Sequence, residues 1–206
     1  FNSVPNIISG AGSLTELASI CLKKKINKPI LITDAGIREQ GYVDRVESIL
    51  AENKIKLSIY DGVQPDPPEN NIIEAVNIFN NHHSDAVIGF GGGSSMDVAK
   101  AVSFFSINKR NIKDCYGIGK LGQKRLPLIQ IPTTAGTGSE VTNIAIFTLD
   151  TTEKMGMVDP LLYADYVILD ANLTLKLPSN ITAYSGIDAM VHAIEAYTTK
   201  LKKNPI

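Results

Sequence analysis

Two cysteines in 206 residues, Cys21 and Cys115, are too few and too far apart for a disulfide scaffold or a CxxC metal site. An excess of either charge is also missing. Twenty basic residues against 21 acidic ones give a net charge of -1, which argues against a nucleic-acid partner, since a phosphate backbone calls for a basic face. The basic runs at 23–25 and 200–203 read as solvated helix ends. No apolar run approaches the ~20 residues that span a bilayer, and no basic-then-apolar leader is visible. No membrane partner and a cytoplasmic location are therefore expected. There is no internal repeat and no low-complexity segment. Phe1 opens the sequence and Pro205-Ile206 closes it just past a helical pattern, so both ends read as trimmed. What remains is ordinary globular composition, 44% hydrophobic and 20% charged. That is enough for one sizeable domain, or one and part of another.

Apolar runs at 29–34, 55–60, 86–90, 126–131 and 166–170 predict strands, and a short extended piece is expected at 4–12. Helical spacing alternates with them. Ser13-Leu-Thr-Glu16 is a capping-box pattern opening a helix toward Lys25. Residues 41–53 place Val43, Val46, Ile49 and Leu50 on one face, and 69–81 place Ile72, Ile73, Val76 and Phe79 inward. The prolines of 64–68 demand a loop, and the polar stretch 108–123 predicts a short helix and loop. Residues 144–149 and 155–158 alternate like a hairpin around 150–153. From Leu173 the pattern is helical, with Pro178 as a boundary. The expected fold class is α/β, a Rossmann-like parallel sheet flanked by helices with a small hairpin, then the start of an all-helical segment. Ligands of such sheets gather at the carboxyl ends of the strands. That rim would carry Asp34, the prolines at 65 and 67, the glycines at 91–93, the Thr133 cluster and Asp170.

The stretch from Asp85 to Phe105 organises the rest. A strand-length run, Ala86 to Phe90, meets Gly91-Gly92-Gly93 without a break. Ser94 or Ser95 then offers an N-cap, with Met96, Ala99, Lys100, Ser103 and Phe104 at helical spacing. Strand, bare turn and helix N-terminus together form an anion site, because free N–H groups and the helix dipole point at whatever sits above the glycines. The dipole alone is worth only about 0.3–1 kcal/mol. Several N–H groups must therefore supply most of the grip, and a diphosphate is the natural occupant.

Asp34 ends a strand, where a carboxylate can accept ribose hydroxyls and repel a 2′-phosphate, favouring NAD over NADP; an Asx turn or helix cap is the plainer alternative. Pro132-Thr-Thr-Ala-Gly-Thr-Gly-Ser-Glu140 gathers hydroxyls and glycines suited to a phosphate or an adenine edge. Its Gly138-Ser139-Glu140 lacks the second glycine of a nucleophile elbow. Asp188 and His192 lie one helical turn apart, so both could reach one ion; an intrahelical pair is the alternative. Glu195 shares that face and could orient His192. A mixed Asp/His set suits Fe2+, Zn2+ or Mn2+. His82-His83, at a polar helix end, read as solvated.

Taken together, Gly91 to Asp97, Pro132 to Glu140 and Gly186 to Tyr197 resemble the motifs of the iron-containing (group III) alcohol dehydrogenases, from the first strand to the last residue. The resemblance implies an NAD-binding α/β domain over 1–178 and the beginning of a helical metal-binding domain over 179–206. It implies that Asp34 selects NAD, that Gly92, Gly93, Ser94 and Ser95 hold the pyrophosphate, and that Asp97 lies near the nicotinamide. Thr133, Thr134, Thr137 and Thr142 would line the cofactor, with Lys154 and Leu173 closing over it. Family members often carry asparagine between the prolines where this chain has Asp66, a position carried over as a ribose contact. Asp188 and His192 would be the first two ligands of Fe2+, alternatively Zn2+. The family's two further histidine ligands lie on later helices, past residue 206, so the chain reads as about half an enzyme. The implied reaction is hydride transfer between NAD and a primary or short-chain alcohol or aldehyde, with the metal polarising the substrate oxygen. No side chain stands out as a catalytic acid or base. A homodimer is expected at full length. Polyol dehydrogenase or hydroxyacid–oxoacid transhydrogenase activity on the same scaffold stays open, as does a non-catalytic nucleotide-binding or assembly module.

Overall fold

The computed structural model describes residues 3–122, 124–149 and 153–199. Its strands are β1 (Ile7–Ser9), β2 (Pro29–Ile32), β3 (Ser58–Tyr60), β4 (Ala86–Gly91), β5 (Gly117–Ile118), β6 (Leu128–Pro132), β7 (Ile144–Thr148), β8 (Lys154–Val158) and β9 (Tyr166–Leu169). The α-helices are α1 (Glu16–Lys23), α2 (Ala35–Glu39), α3 (Tyr42–Glu52), α4 (Glu69–His82), α5 (Gly93–Phe105) and α6 (Ser179–Thr198).

β2, β4 and β6 are buried at every residue, as their unbroken apolar runs require of strands covered on both faces. The two-residue period divides their side chains between two cores. Ile30, Ile32, Val87 and Leu128 point into one, beneath α4 and α5, where Ile72, Phe79, Val98 and Phe104 meet them. Leu31, Ile88, Phe90 and Ile131 point into the other, against Leu17, Ile20, Val43, Val46 and Leu50 of α1 and α3. Each such side chain, fully buried, contributes about 1.5–3 kcal/mol of transfer free energy.

The sheet runs β1-β9-β6-β4-β2-β3, with every pair parallel. Without the edge strand β1, this is the doubly wound order 2-1-3-4-5, whose direction reverses between β2 and β4. The crevice outside the carboxyl ends of those two strands is where such a sheet accepts a ligand. A second sheet, β5-β8-β7, contains the expected hairpin, paired antiparallel from Ile144↔Val158 to Thr148↔Lys154. Ala145 and Phe147 enter the first core, while Ile144 and Ile146 face outward.

Several local expectations are corrected. The capping box does not form. Ser13 instead donates to the Leu169 carbonyl at 3.2 Å, and the first turn is satisfied from far along the chain by Asp170, which accepts from Gly12 N at 2.8 Å and Leu14 N at 3.2 Å. α2 and the two-residue strand β5 were not expected, being too short for a periodic signal. On α4, Ile73 is 50% exposed and Asn71 is buried in its stead. Asn71 donates to the Tyr60 hydroxyl at 2.9 Å and accepts from Gln64 N at 3.1 Å, so a polar residue on the inner face anchors the loop after β3. Residues 150–152, the hairpin turn, and 200–206, with the second basic run and the chain's end, lie outside the described residues.

Candidate dinucleotide and metal site

The turn from β4 into α5 uses its glycines for different reasons. Gly91 has φ 147°, and a Cβ there would lie 2.7 Å from Ser95 Oγ, so the backbone itself demands glycine. Gly92 is the N-cap of α5, at an ordinary φ of -80° with no side-chain cap. A Cβ on Gly92 would meet Thr134 Cγ2 at 3.5 Å, an ordinary contact. The expected Ser94 or Ser95 cap is therefore corrected. The chain enters the helix two to three residues earlier, and the N–H groups of Gly93, Ser94 and Ser95 lack intrahelical acceptors. Ser95 Oγ donates instead to Asp34 Oδ2 at 3.3 Å.

Asp34 takes the plainer of the two roles considered for it and also lines a cavity. Its Oδ1 caps α2 by accepting from Ile37 N at 3.1 Å, while the carboxylate borders the crevice opposite the glycines. Thr133 N donates to the Gly91 carbonyl at 2.9 Å, drawing the threonine loop against the turn. The Oγ1 atoms of Thr133 and Thr134 are buried without a hydrogen-bond partner. Buried hydroxyls left unpaired cost free energy unless something accepts or donates to them. With the free amides beside them they suit a diphosphate.

Two cavities meet here. One of about 490 Å3 runs from Asp34 and Gln64 to Gly92 and Thr134. The other, about 440 Å3, runs from Asp97 and Thr137 to Lys154, Asp188 and His192. Gly93 and Ser94 border both, so they form one trough folded over the helix N-terminus.

In the second cavity Asp97 is held on both oxygens. Oδ1 accepts from Ser139 Oγ at 2.6 Å and Lys100 Nζ at 3.2 Å, and Oδ2 accepts from Ile146 N at 3.0 Å. Lys100 is fully buried and also donates to Ser139 Oγ, Thr142 Oγ1 and the Ile144 carbonyl at 2.6–3.1 Å. Burial pushes its pKa down, while Asp97 pulls it back up. Sequence reasoning placed Lys100 on a helical stripe without giving it a task; the available signal was a charged residue on an otherwise apolar face. Across the cavity mouth Lys154 Nζ and Asp66 Oδ1 pair at 2.6 Å, and Thr148 N donates to the Pro67 carbonyl at 2.9 Å. These contacts strap the proline loop to the hairpin.

Asp188 Oδ1 and His192 Nε2 stand 3.8 Å apart on α6, both about half exposed and facing the same cavity. A carboxylate and an imidazole so placed suit a divalent cation. Among the described residues no group of three or more candidate ligands forms, so the pair is an incomplete set. Glu195 is exposed and borders neither cavity. His82 Nδ1 lies 3.0 Å from Ser84 Oγ, at the amino end of β4 and away from the trough.

Two expected positions do not reach the trough. Leu173 is 1% exposed in the second core, because the turn capped by Asp170 directs its side chain inward. Asp170 is 2% exposed and holds Gly12, Leu14 and Asn172 amides. A missed position is Gly136, where a Cβ would lie 2.1 Å from the Ser185 carbonyl oxygen: the threonine loop and α6 touch backbone to backbone. No helix among the described residues is long and apolar enough to cross a membrane.

The family model for iron-containing alcohol dehydrogenase matches residues 5–171. Alcohol dehydrogenase 4 of Schizosaccharomyces pombe is 37% identical over 198 residues, 96% of this chain and 47% of that protein. The NAD-dependent methanol dehydrogenase of Bacillus methanolicus is 34% identical over 197 residues, 95% of this chain and 52% of that one. Among solved structures, sulfoacetaldehyde reductase from Bifidobacterium kashiwanohense in complex with NAD+ superposes with a TM-score of 0.90 at 30% identity, over 97% of this chain and 53% of that one. A 1,3-propanediol oxidoreductase gives a TM-score of 0.95 at 30% identity, over 100% of this chain and 54% of that one. The chain spans about half the length of the curated relatives it matches.

Proposed function

The chain belongs to the iron-containing alcohol dehydrogenase family, and on that premise we propose that it is the cofactor-binding part of an NAD-dependent alcohol or aldehyde oxidoreductase. One observation carries the reading: a single trough joins Asp34 to the Asp188–His192 pair across the bare N-terminus of α5. Asp34 accepts the ribose hydroxyls and repels a 2′-phosphate. The amides of Gly93, Ser94 and Ser95, reached over Gly92, grip the diphosphate with the unpaired hydroxyls of Thr133 and Thr134. Thr137 and Thr142 line the nicotinamide end, where Asp97 holds the loop and hairpin in place. Asp66 and Lys154 close its mouth.

Asp188 and His192 would hold the family's divalent metal, Fe2+ or alternatively Zn2+. When bound, that metal supplies a Lewis acid for the substrate oxygen, beside the dinucleotide as hydride carrier. Residues 1–178 form the nucleotide-binding unit in this reading, and α6 opens a helical one: it starts behind Pro178 and has no buried residue. The wall of the substrate pocket belongs to that second unit, so the alcohol or aldehyde stays at the level of class.

Calorimetric titration of this chain with NAD+ tests the reading directly. Saturable binding to one site is expected, and no heat of binding would overturn it. In a protein of the relatives' full length carrying this chain, a chelator should abolish NADH formation from short alcohols while NAD+ still binds. Undiminished turnover would remove the metal from the reading.

A further inference from the structure

We propose that the ion pair between Arg38 and Asp61 is a second determinant of NAD over NADP, in which Asp61 holds beside the trough a guanidinium that would otherwise receive a 2′-phosphate. The inference rests on the dinucleotide reading above and extends it to a pair of residues outside the cavity wall.

Arg38 lies one turn beyond Asp34, and its backbone N–H donates to the Asp34 carbonyl at 3.2 Å. Ile37 and Gln40, to either side of Arg38, line the first cavity, as do Val63 and Gln64 just past Asp61. Asp34 and Gly62 pair as an isolated bridge, so Asp34 and Asp61 emerge next to each other from the carboxyl ends of β2 and β3. Arg38 Nη1 meets Asp61 Oδ2 at 2.7 Å, with the two side chains 49% and 41% exposed. A pair so open to water is weak and exchanges partners readily, whereas a guanidinium binds phosphate through two parallel charge-assisted hydrogen bonds. The neighbouring cation, Lys176, is engaged with the Gln40 carbonyl at 2.7 Å and the Tyr42 ring.

Charge counting gives the rest. Asp34, Asp61 and Arg38 together carry one negative charge, and a ribose 2′-phosphate carries about -1.5 to -2 at neutral pH. Neutralising Asp34 leaves Arg38 still cancelled by Asp61. Only when both carboxylates are gone does the rim become a cation aimed at phosphate. Discrimination is thus built in two stages, repulsion by Asp34 and sequestration of Arg38 by Asp61.

Binding of NAD+ and NADP+ is measured by calorimetry for the wild type, Asp34→Ser, Asp61→Asn, Arg38→Ala, the Asp34→Ser/Asp61→Asn double variant, and that double variant with Arg38→Ala. Serine keeps the N-cap of α2 while removing its charge. NADP+ affinity should rise with Asp34→Ser. It should rise again by about fivefold with Asp61→Asn, the upper end of what an exposed ion pair is worth, and lose that second gain when Arg38→Ala is added. NAD+ affinity should not change with Asp61→Asn or Arg38→Ala alone, which also reports that both variants fold. An NADP+ affinity indifferent to Asp61 in the Asp34→Ser background, or a gain that survives Arg38→Ala, overturns the proposal. If the wild type fails to bind NAD+, the dinucleotide reading itself falls and takes this inference with it.

Discussion

At Gly91 and Gly92 the same residue type answers two different demands, and substitution separates them. Gly91→Ala should destabilise the fold by about 1–3 kcal/mol, because φ 147° is strained for alanine and its Cβ would enter Ser95. Gly92→Ala should leave the unfolding midpoint within about 0.5 kcal/mol of wild type, since its Cβ meets only an ordinary contact at 3.5 Å. It should still weaken NAD+ binding by about tenfold, or about 1.4 kcal/mol, because the added methyl stands in the cavity wall over which the diphosphate must reach the amides of Gly93, Ser94 and Ser95. Denaturant melts beside calorimetry read both numbers. Glu140 gives a pH test. Burial raises its carboxyl above the usual 4.5, with Lys100 opposing. The folded state therefore binds more protons than the unfolded one just above 4.5, and stability from this group is lost as pH rises through that window. Denaturant melts between pH 4.5 and 7 should show Glu140→Gln lacking that dependence, and the variant should be the more stable relative to wild type at the upper end. Most of the trough was legible from such residues because glycine, threonine and aspartate have few other reasons to cluster past strand ends. Lys100 was not, because its partners come from a loop and a hairpin about 40 residues away.

At the scale of elements, no strand pairing joins the hairpin to the threonine loop among the described residues. Lys100 and Asp97 join them to α5. Removing one member of a buried ion pair costs about 3–5 kcal/mol, largely because the other is left charged and unpaired. Lys100→Met should therefore lower stability by about 3 kcal/mol. Adding Asp97→Asn should recover much of that loss, since the neutral amide can still accept from Ile146 N through its oxygen and donate to the Ser139 hydroxyl through its nitrogen. A double-mutant cycle by chemical denaturation checks the coupling, and purely additive losses would mean that the two residues act separately. The same scale explains where sequence reading of helices and strands succeeded. Continuous apolar runs gave β2, β4, β6 and β9 because a strand buried on both faces leaves no other composition open. The start of the first helix was misread because its amides are capped by Asp170, 156–158 residues away, and no local pattern encodes that.

The molecule as a whole divides unevenly. Everything up to Pro178 encloses two cores, whereas the 20 residues of α6 contain none that are buried. Tyr184, Ile187, Met190, Ile194 and Tyr197 are 58–90% exposed along it. An apolar helix so bare draws little stability from the sheet beneath it, even though Gly136 lets its backbone rest against the threonine loop. A chain ending at Pro178 should therefore unfold with the same denaturant midpoint, within about 0.5 kcal/mol. It should also self-associate less, because an exposed apolar patch of this kind promotes association. NAD+ binding should persist with only a few-fold loss: Ile181 is the sole α6 residue bordering the first cavity, whereas Asp34, the glycine turn and both buried threonine hydroxyls are retained. Binding of divalent metal, read with Co2+ by its visible absorption, should disappear with Asp188 and His192. Denaturation, sedimentation and the two titrations on the shortened chain decide the matter together. A collapsed midpoint or lost NAD+ binding would mean that α6 belongs to the nucleotide-binding unit rather than opening a second one.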